Sequence, residues 1–167
     1  MSSTLSKPAP PDEAVIALGC DNAGFDLKTE ICQLLKDLQV PFADLGCSSA
    51  SESVHYPVFG KKVVEAVLAH PQGRGILICG TGLGMSILAN RFPGIRAALC
   101  HDLFSAIMSR RHNNANLLIM GGRVIGPGLA REIVRYWLTT PFDGGRHQER
   151  LELLEALAAQ AKSPAKT

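Results

Sequence analysis

Four short stretches carry side chains that can do chemistry. In "ICGTGLGMSI" a cysteine, Cys79, ends an apolar run, and Gly80, Gly82 and Gly84 follow at every second position. In "GCDNAGFDLK" Asp21 and Asn22 follow another apolar run. "SRRHNNAN" carries His112 and Asn113, and "GGRHQERLELL" sets Arg146 and Arg150 four residues apart, on one face of a helix. Backbone N–H groups in a glycine loop that opens a helix attract negative charge. The same field favours thiolate over thiol. A cysteine placed there can attack an acyl group or shuttle a proton. Cations at a helix N-terminus oppose the helix dipole, so folding alone explains Arg146 and Arg150 badly. Two converging guanidiniums suit a phosphate or a carboxylate.

Plainer readings of the same residues stand beside these. The glycines can serve only a tight strand-to-helix turn. An Asp after a strand is usually a helix cap, and a lone His is more often a surface or cap residue than a catalyst. A Walker phosphate loop is ruled out, because no Gly-Lys-Ser/Thr follows. Dinucleotide binding has Gly80-x-Gly82 after a strand and Asp102 after the next one, but Met85 stands where the third glycine belongs.

These stretches sit on an alternation of strands and helices. The predicted strands are Ala14 to Cys20, "PFADLG", Gly75 to Cys79, Ile95 to Cys100 and "NLLIMGG". Between them, Ile31, Leu34, Leu35 and Leu38 recur at helical spacing, as do Phe59, Val63 and Val67. Further helices are expected from about Gly84 to Phe92, from Leu103 to Arg111, and over Leu129, Ile133 and Trp137. A last one, from about Arg146, is expected to bury Leu151, Leu154 and Leu157. The alternation predicts an α/β, single-domain, Rossmann-like three-layer sandwich with a five-stranded parallel sheet in the flavodoxin-like order 2-1-3-4-5. Its switch point lies between strands 1 and 3, where ligands bind beyond the carboxyl ends of the strands. "DNAGF" and "CGTGLG" should therefore face each other across one crevice.

The 167 residues suit one domain over 13–160, with polar tails at 1–12 and 161–167 expected to be disordered. A net charge of +2, with no basic-aromatic cluster, argues against nucleic acid as a partner. No apolar run approaches the roughly 18 residues of a membrane span. The five cysteines form no C-x-x-C pair and no zinc spacing, which fits free thiols in a cytoplasmic protein.

"GCDNAGFDLK", "ICGTGLGMSILANRFPGIRAALCHD", "SRRHNNANLLIMGGRVIG" and "PFDGGRHQERL" together resemble ribose-5-phosphate isomerase B, over about Val15 to Leu157. The wider group includes galactose-6-phosphate and allose-6-phosphate isomerases. The resemblance implies aldose–ketose interconversion through an enediolate, without metal or organic cofactor. It makes Cys79 the base that moves a proton between C1 and C2. Some relatives use a glutamate at the position of Met85 instead, and methionine cannot carry a proton. Thr81 and the amides of Gly80, Gly82 and Gly84 would steady the enediolate oxygen. His112, assisted by Asp21, would open the sugar ring, Asn113 would hold hydroxyls, and Arg123, Arg146 and Arg150 would hold the phosphate. Tyr56 of "VHYPVF" is kept. A homodimer, or a tetramer of such dimers, is implied, with phosphate ligands partly from the neighbouring subunit. Asn22 stands where the family has His, and His55 where it commonly has Asp. Both lie where sugar length and phosphate position are read. An isomerase of the same mechanism acting on allose 6-phosphate, galactose 6-phosphate, a tetrose phosphate or a free sugar is the nearest alternative. A non-catalytic phosphosugar- or nucleotide-binding module is the alternative from another class.

Overall fold

The computed structural model describes residues 15–161, so the expected tail at 1–12, residues 13 and 14 of the expected domain, and 162–167 of the expected tail at 161–167 lie outside the described residues, while Ala161 ends a helix instead of opening that tail. Five strands form one parallel sheet: β1 (Ile16–Cys20), β2 (Phe42–Asp44), β3 (Gly75–Cys79), β4 (Ala97–Leu99) and β5 (Leu117–Gly121). The helices are α1 (Phe25–Asp37), α2 (Tyr56–Leu68), α3 (Leu83–Ala89), α4 (Leu103–Arg111), α5 (Pro127–Thr139) and α6 (Arg146–Ala161).

Side-chain alternation along the strands divides the core in two. Ile16, Leu18, Cys20, Ile76, Ile78, Leu118 and Met120 face Ile31, Leu34 and Leu35 of α1 and Ile133, Val134 and Trp137 of α5. Ala17, Leu77, Cys79, Leu117 and Ile119 face Val63, Val64 and Val67 of α2 and Met85 and Ala89 of α3. Each of the large side chains buried this way stabilises the fold by roughly 1.5–3 kcal/mol before entropy is charged. α4 packs on α5, and α5 on α1, so these three share one face. Cys79 therefore points toward the α2/α3 layer.

The sheet order is β2-β1-β3-β5-β4, not 2-1-3-4-5. β5 is wholly buried, whereas all three residues of β4 are half-exposed. The strand with the bulkier apolar run takes the interior position and the shorter strand, preceded by Arg96, takes the edge. The switch point between β1 and β3 is untouched by this exchange. α3 ends three residues short of Phe92, because the Asn90 side chain bonds Ala97 of β4 through both its oxygen and its nitrogen. α6 also departs from expectation. Leu154 and Leu157 are about half exposed, as is Leu153, and His147 is the buried residue of this helix.

Candidate active site

The expected site residues fall into two groups at opposite ends of the sheet. Asp21, Asn22, Tyr56, Cys79, Thr81, the three loop glycines and Arg123 lie at the carboxyl end. His112, Asn113, Arg146 and Arg150 lie at the amino end. The topology requires this. α4 leaves the carboxyl end of β4 and runs back, so its C-cap, His112, stands beside the start of β5. Asn113 and Asn114 offer their carbonyls to Arg96, which precedes β4, and Asn116 accepts from the Gly75 amide at the start of β3. Four intervals of about 3.3 Å put Gly75 and Cys79 roughly 13 Å apart. Asp21 and His112 thus do not meet within one chain, nor does Arg123 meet Arg146 and Arg150.

At the carboxyl end three chain segments interlock. A Cβ on Gly24 would lie 2.5 Å from the Ile78 carbonyl, and one on Gly121 would lie 2.7 Å from the Thr81 backbone. The exits of β1 and β3 are in contact, as the switch-point argument requires. Asp21 caps the short turn over Asn22–Gly24, its Oδ1 accepting from the Gly24 N–H at 3.0 Å. The plain reading of that Asp is therefore met, without using its second oxygen. Asn22 Oδ1 accepts from the Val54 N–H at 3.3 Å and so ties the segment leading to Tyr56. The Tyr56 ring lies against Gly84, where an added Cβ would come within 2.8 Å of it. Arg123 lies against Gly80, its Nη1 3.7 Å from where a Cβ would stand.

Cys79 is 5% exposed, and the Gly82 N–H points at its sulfur from 3.2 Å. That amide is aimed by a left-handed backbone, φ +80° at Gly82, where a Cβ would also meet Leu99 at 2.4 Å. Glycine is required there on both counts. A fixed N–H stabilises negative charge on the sulfur it faces. The Thr81 hydroxyl accepts from the Leu83 N–H. Three other thiols are disfavoured as a base. Burial pushes the Cys20 thiol far up, with Cys47 adding to it, raises Cys32, and pushes Cys100 up to about 11. Met85 is fully buried against the Gly60 position and faces the core, not the loop mouth. Asp102, the residue a dinucleotide ribose would need, is engaged as the cap of α4 through Ser105.

At the amino end His112 stacks on His147, with ring centroids 4.2 Å apart and planes 7° from parallel. Asp143 completes the cluster, with one ligand-type atom of each residue within 4.8 Å of the others. Two histidines and a carboxylate have the chemistry of a metal triad, but the in-plane lone pairs of stacked rings run parallel and do not converge. Arg111 holds Asp143 in a two-toothed pair. Burial, then His112, Arg146 and Arg150, press the His147 imidazole below its ordinary value, against Asp143. Arg146 and Arg150 are exposed on the first turns of α6.

Sequence reasoning missed His147, Asp143 and His101. His101 Nε2 accepts the Gly121 N–H at 2.9 Å and so fixes the turn that carries Arg123. Position in the sequence gives a signal for two of them: His101 follows a predicted strand, and His147 lies between the two arginines already singled out.

The sequence profile of a family described as Ribose/Galactose Isomerase matches residues 16–154. The chain is 48% identical over 142 residues to ribose-5-phosphate isomerase B of Escherichia coli (strain K12), a match covering 85% of this chain and 95% of that one. It is 41% identical over 147 residues to D-erythrulose-4-phosphate isomerase of Pectobacterium atrosepticum, covering 88% and 97%. The solved structure of ribose-5-phosphate isomerase B from Clostridium thermocellum superposes with a TM-score of 0.84 at 47% identity, covering 88% of this chain and 99% of that one.

Proposed function

The chain belongs to the ribose/galactose isomerase family and is a sugar-phosphate aldose–ketose isomerase, and on that premise we propose that it interconverts D-ribose 5-phosphate and D-ribulose 5-phosphate with Cys79 as the acid/base. The observation that carries the assignment is the Gly82 N–H aimed at a cysteine sulfur at the switch point of the sheet. The Cys79 thiolate takes the proton from C2 of the open-chain aldose. An enediolate forms, with its charge on the C1 oxygen beside the loop amides and Thr81. The thiol returns the proton to C1 while the hydrogen of the C2 hydroxyl passes to the C1 oxygen, leaving the ketose. His112 opens the ring, Asn113 holds hydroxyls, and Arg146 and Arg150 bind the phosphate.

The same geometry supports a homodimer. His112, Asn113, Arg146 and Arg150 reach Cys79 only if a second copy brings its amino end to the carboxyl end of the first. Exposed apolar side chains support such pairing: Leu83 and Ile87 of α3, Phe104 of α4, and the leucines of α6. Each pairing of a Cys79 half with a partner's His112 half makes one site. The active unit is therefore the dimer, alone or paired into tetramers.

Asn22 favours a second reading of the substrate. Its Oδ1 is committed to the Val54 amide, which leaves its NH2 as a neutral donor where the family has His. A neutral donor grips phosphate less strongly than a charged one. The similarity to an isomerase of a four-carbon sugar phosphate supports the same mechanism on a shorter or differently phosphorylated sugar. The experiment is proton exchange in deuterium oxide. Ribose 5-phosphate should lose its C2 proton signal and yield ribulose 5-phosphate. Absence of both would overturn the ribose 5-phosphate assignment, and exchange of a C1 proton of erythrulose 4-phosphate would favour the second reading.

A further inference from the structure

Three of the ten arginines have carboxylate partners among the described residues. Arg111 pairs with Asp143, Arg131 with Glu30 and Asp37, and Arg135 with Glu132. Of the other seven, three share one recess. Arg74 before β3, Arg96 before β4 and Arg110 in the last turn of α4 converge on a recess of about 610 Å³ at the amino end of the sheet. Its walls contain no Asp or Glu. Arg74 and Arg110 each lie 5.6 Å from the centre of the buried Trp137 ring, so two cations share one aromatic platform.

Arg110 is 9% exposed. Its Nη1 donates to Asn114 and to the Ala115 carbonyl, but its Nε is buried with no partner. Arg74 spends one nitrogen on the Leu138 carbonyl and Arg96 spends Nε on the Asn113 and Asn114 carbonyls. A guanidinium has five N–H donors, so each of the three keeps donors in reserve. Burial, then Arg74 and Arg96, press the Arg110 guanidinium down to about 10. Clustered cations with no counter-charge repel one another, and a buried donor without an acceptor costs stability. A dianion held by the exposed donors of all three would remove the repulsion.

We propose that this recess is a second anion site, one that binds a phosphate group, either free or carried on a small metabolite. It is built from different residues than Arg146 and Arg150, and it needs one copy of the chain only. Through Arg96, which holds the Asn113 carbonyl, a bound phosphate sits one residue from His112.

The test is titration calorimetry on a full-length Arg146→Ala/Arg150→Ala variant, which removes two of the three arginines expected to grip the catalytic phosphate. Orthophosphate should still bind, at one per chain. Adding Arg74→Gln should weaken that binding by ~10-fold or more, the scale of one charge-assisted bond. Gln72→Glu, an exposed change in the recess wall, should also abolish it. In phosphate-free buffer Gln72→Glu should raise the unfolding temperature, because the added carboxylate relieves the repulsion. A parallel titration with adenosine monophosphate separates the sources: tighter binding than orthophosphate means an organic phosphate, equal or weaker binding means the free ion. No binding to the Arg146→Ala/Arg150→Ala protein, or binding that Arg74→Gln and Gln72→Glu leave unchanged, overturns the proposal. Isomerase activity of the Arg74→Gln single variant should persist. Its persistence or loss bears on this recess and not on the role of Cys79.

Discussion

Replacing Cys79 by alanine separates chemistry from folding, because the two effects differ in size. Cys79 is nearly buried against the α2/α3 layer. Losing its sulfur removes one heavy atom from that packing, which costs on the order of 1 kcal/mol. For a chain of this length that lowers the unfolding temperature by about 2–4 °C. A domain with the ordinary ~5–15 kcal/mol of stability remains folded after such a loss. The catalytic cost is larger. A positioned acid/base contributes ~10²–10⁴ in rate, or about 2.7–5.4 kcal/mol of barrier. The fall should appear in kcat with KM nearly unchanged, since the sulfur acts in the transition state. Cys79→Ser keeps an acceptor for the Gly82 N–H and so keeps the loop. It should still lose most activity, because a hydroxyl is far less ionised than a thiol near neutral pH. The assay is exchange of the ribose 5-phosphate C2 proton with solvent deuterium, run beside thermal unfolding. A folded Cys79→Ala protein that exchanges this proton within ~10-fold of the wild-type rate would refute the reasoning and leave the loop as a structural turn.

Changing Arg146 or Arg150 to alanine should cost about 1.5–3 kcal/mol in kcat/KM on ribose 5-phosphate, the range for hydrogen bonds to charged groups, and much less on free ribose; equal losses on both sugars would assign these arginines to the fold or the dimer. His147 is held below its ordinary value of 6.5, chiefly by burial. The unfolded chain therefore takes up its proton first, and the fold loses stability as the pH falls through about 6.5. Urea midpoints should drop between pH 7 and pH 5.5 in the wild type and drop less in His147→Gln; parallel declines would contradict this. Asn22→His should lower KM for ribose 5-phosphate with little change in kcat, and a lower kcat/KM on that sugar with a gain on allose 6-phosphate would show that Asn22 does not weaken the phosphate grip.

The elements were legible because each rests on local pattern. "GILIC" reads as a buried strand and is one, and Gly82 stands where the loop needs a left-handed residue. Strand order was not legible from alternation alone, yet a hint was present: the "LLIM" run carries bulkier apolar side chains than "AAL", and the strand with the bulkier apolar run belongs inside. The leucines of α6 follow a helical period that predicts burial, but Leu153, Leu154 and Leu157 are more than half exposed in one chain. Their pattern fits the dimer proposed above. Sequence motifs identified His112 and Cys79 separately. It was the direction of α4 that set them at opposite ends, and no spacing between motifs carries that information. Asp143 and His147 escaped for a related reason, since their meeting with His112 depends on the turn through Gly144 and Gly145, both at positive φ.

In the proposed dimer, one active site draws Cys79 from one copy and His112 from another. Two inactive variants, Cys79→Ala and His112→Asn, can be co-expressed in equal amounts and purified together. Random pairing makes half of the dimers mixed, and each mixed dimer has one site with both native residues and one with neither. About a quarter of wild-type activity should return. If both residues served a site within a single chain, the mixture would show no more activity than the sum of its two parents, and the account would be contradicted.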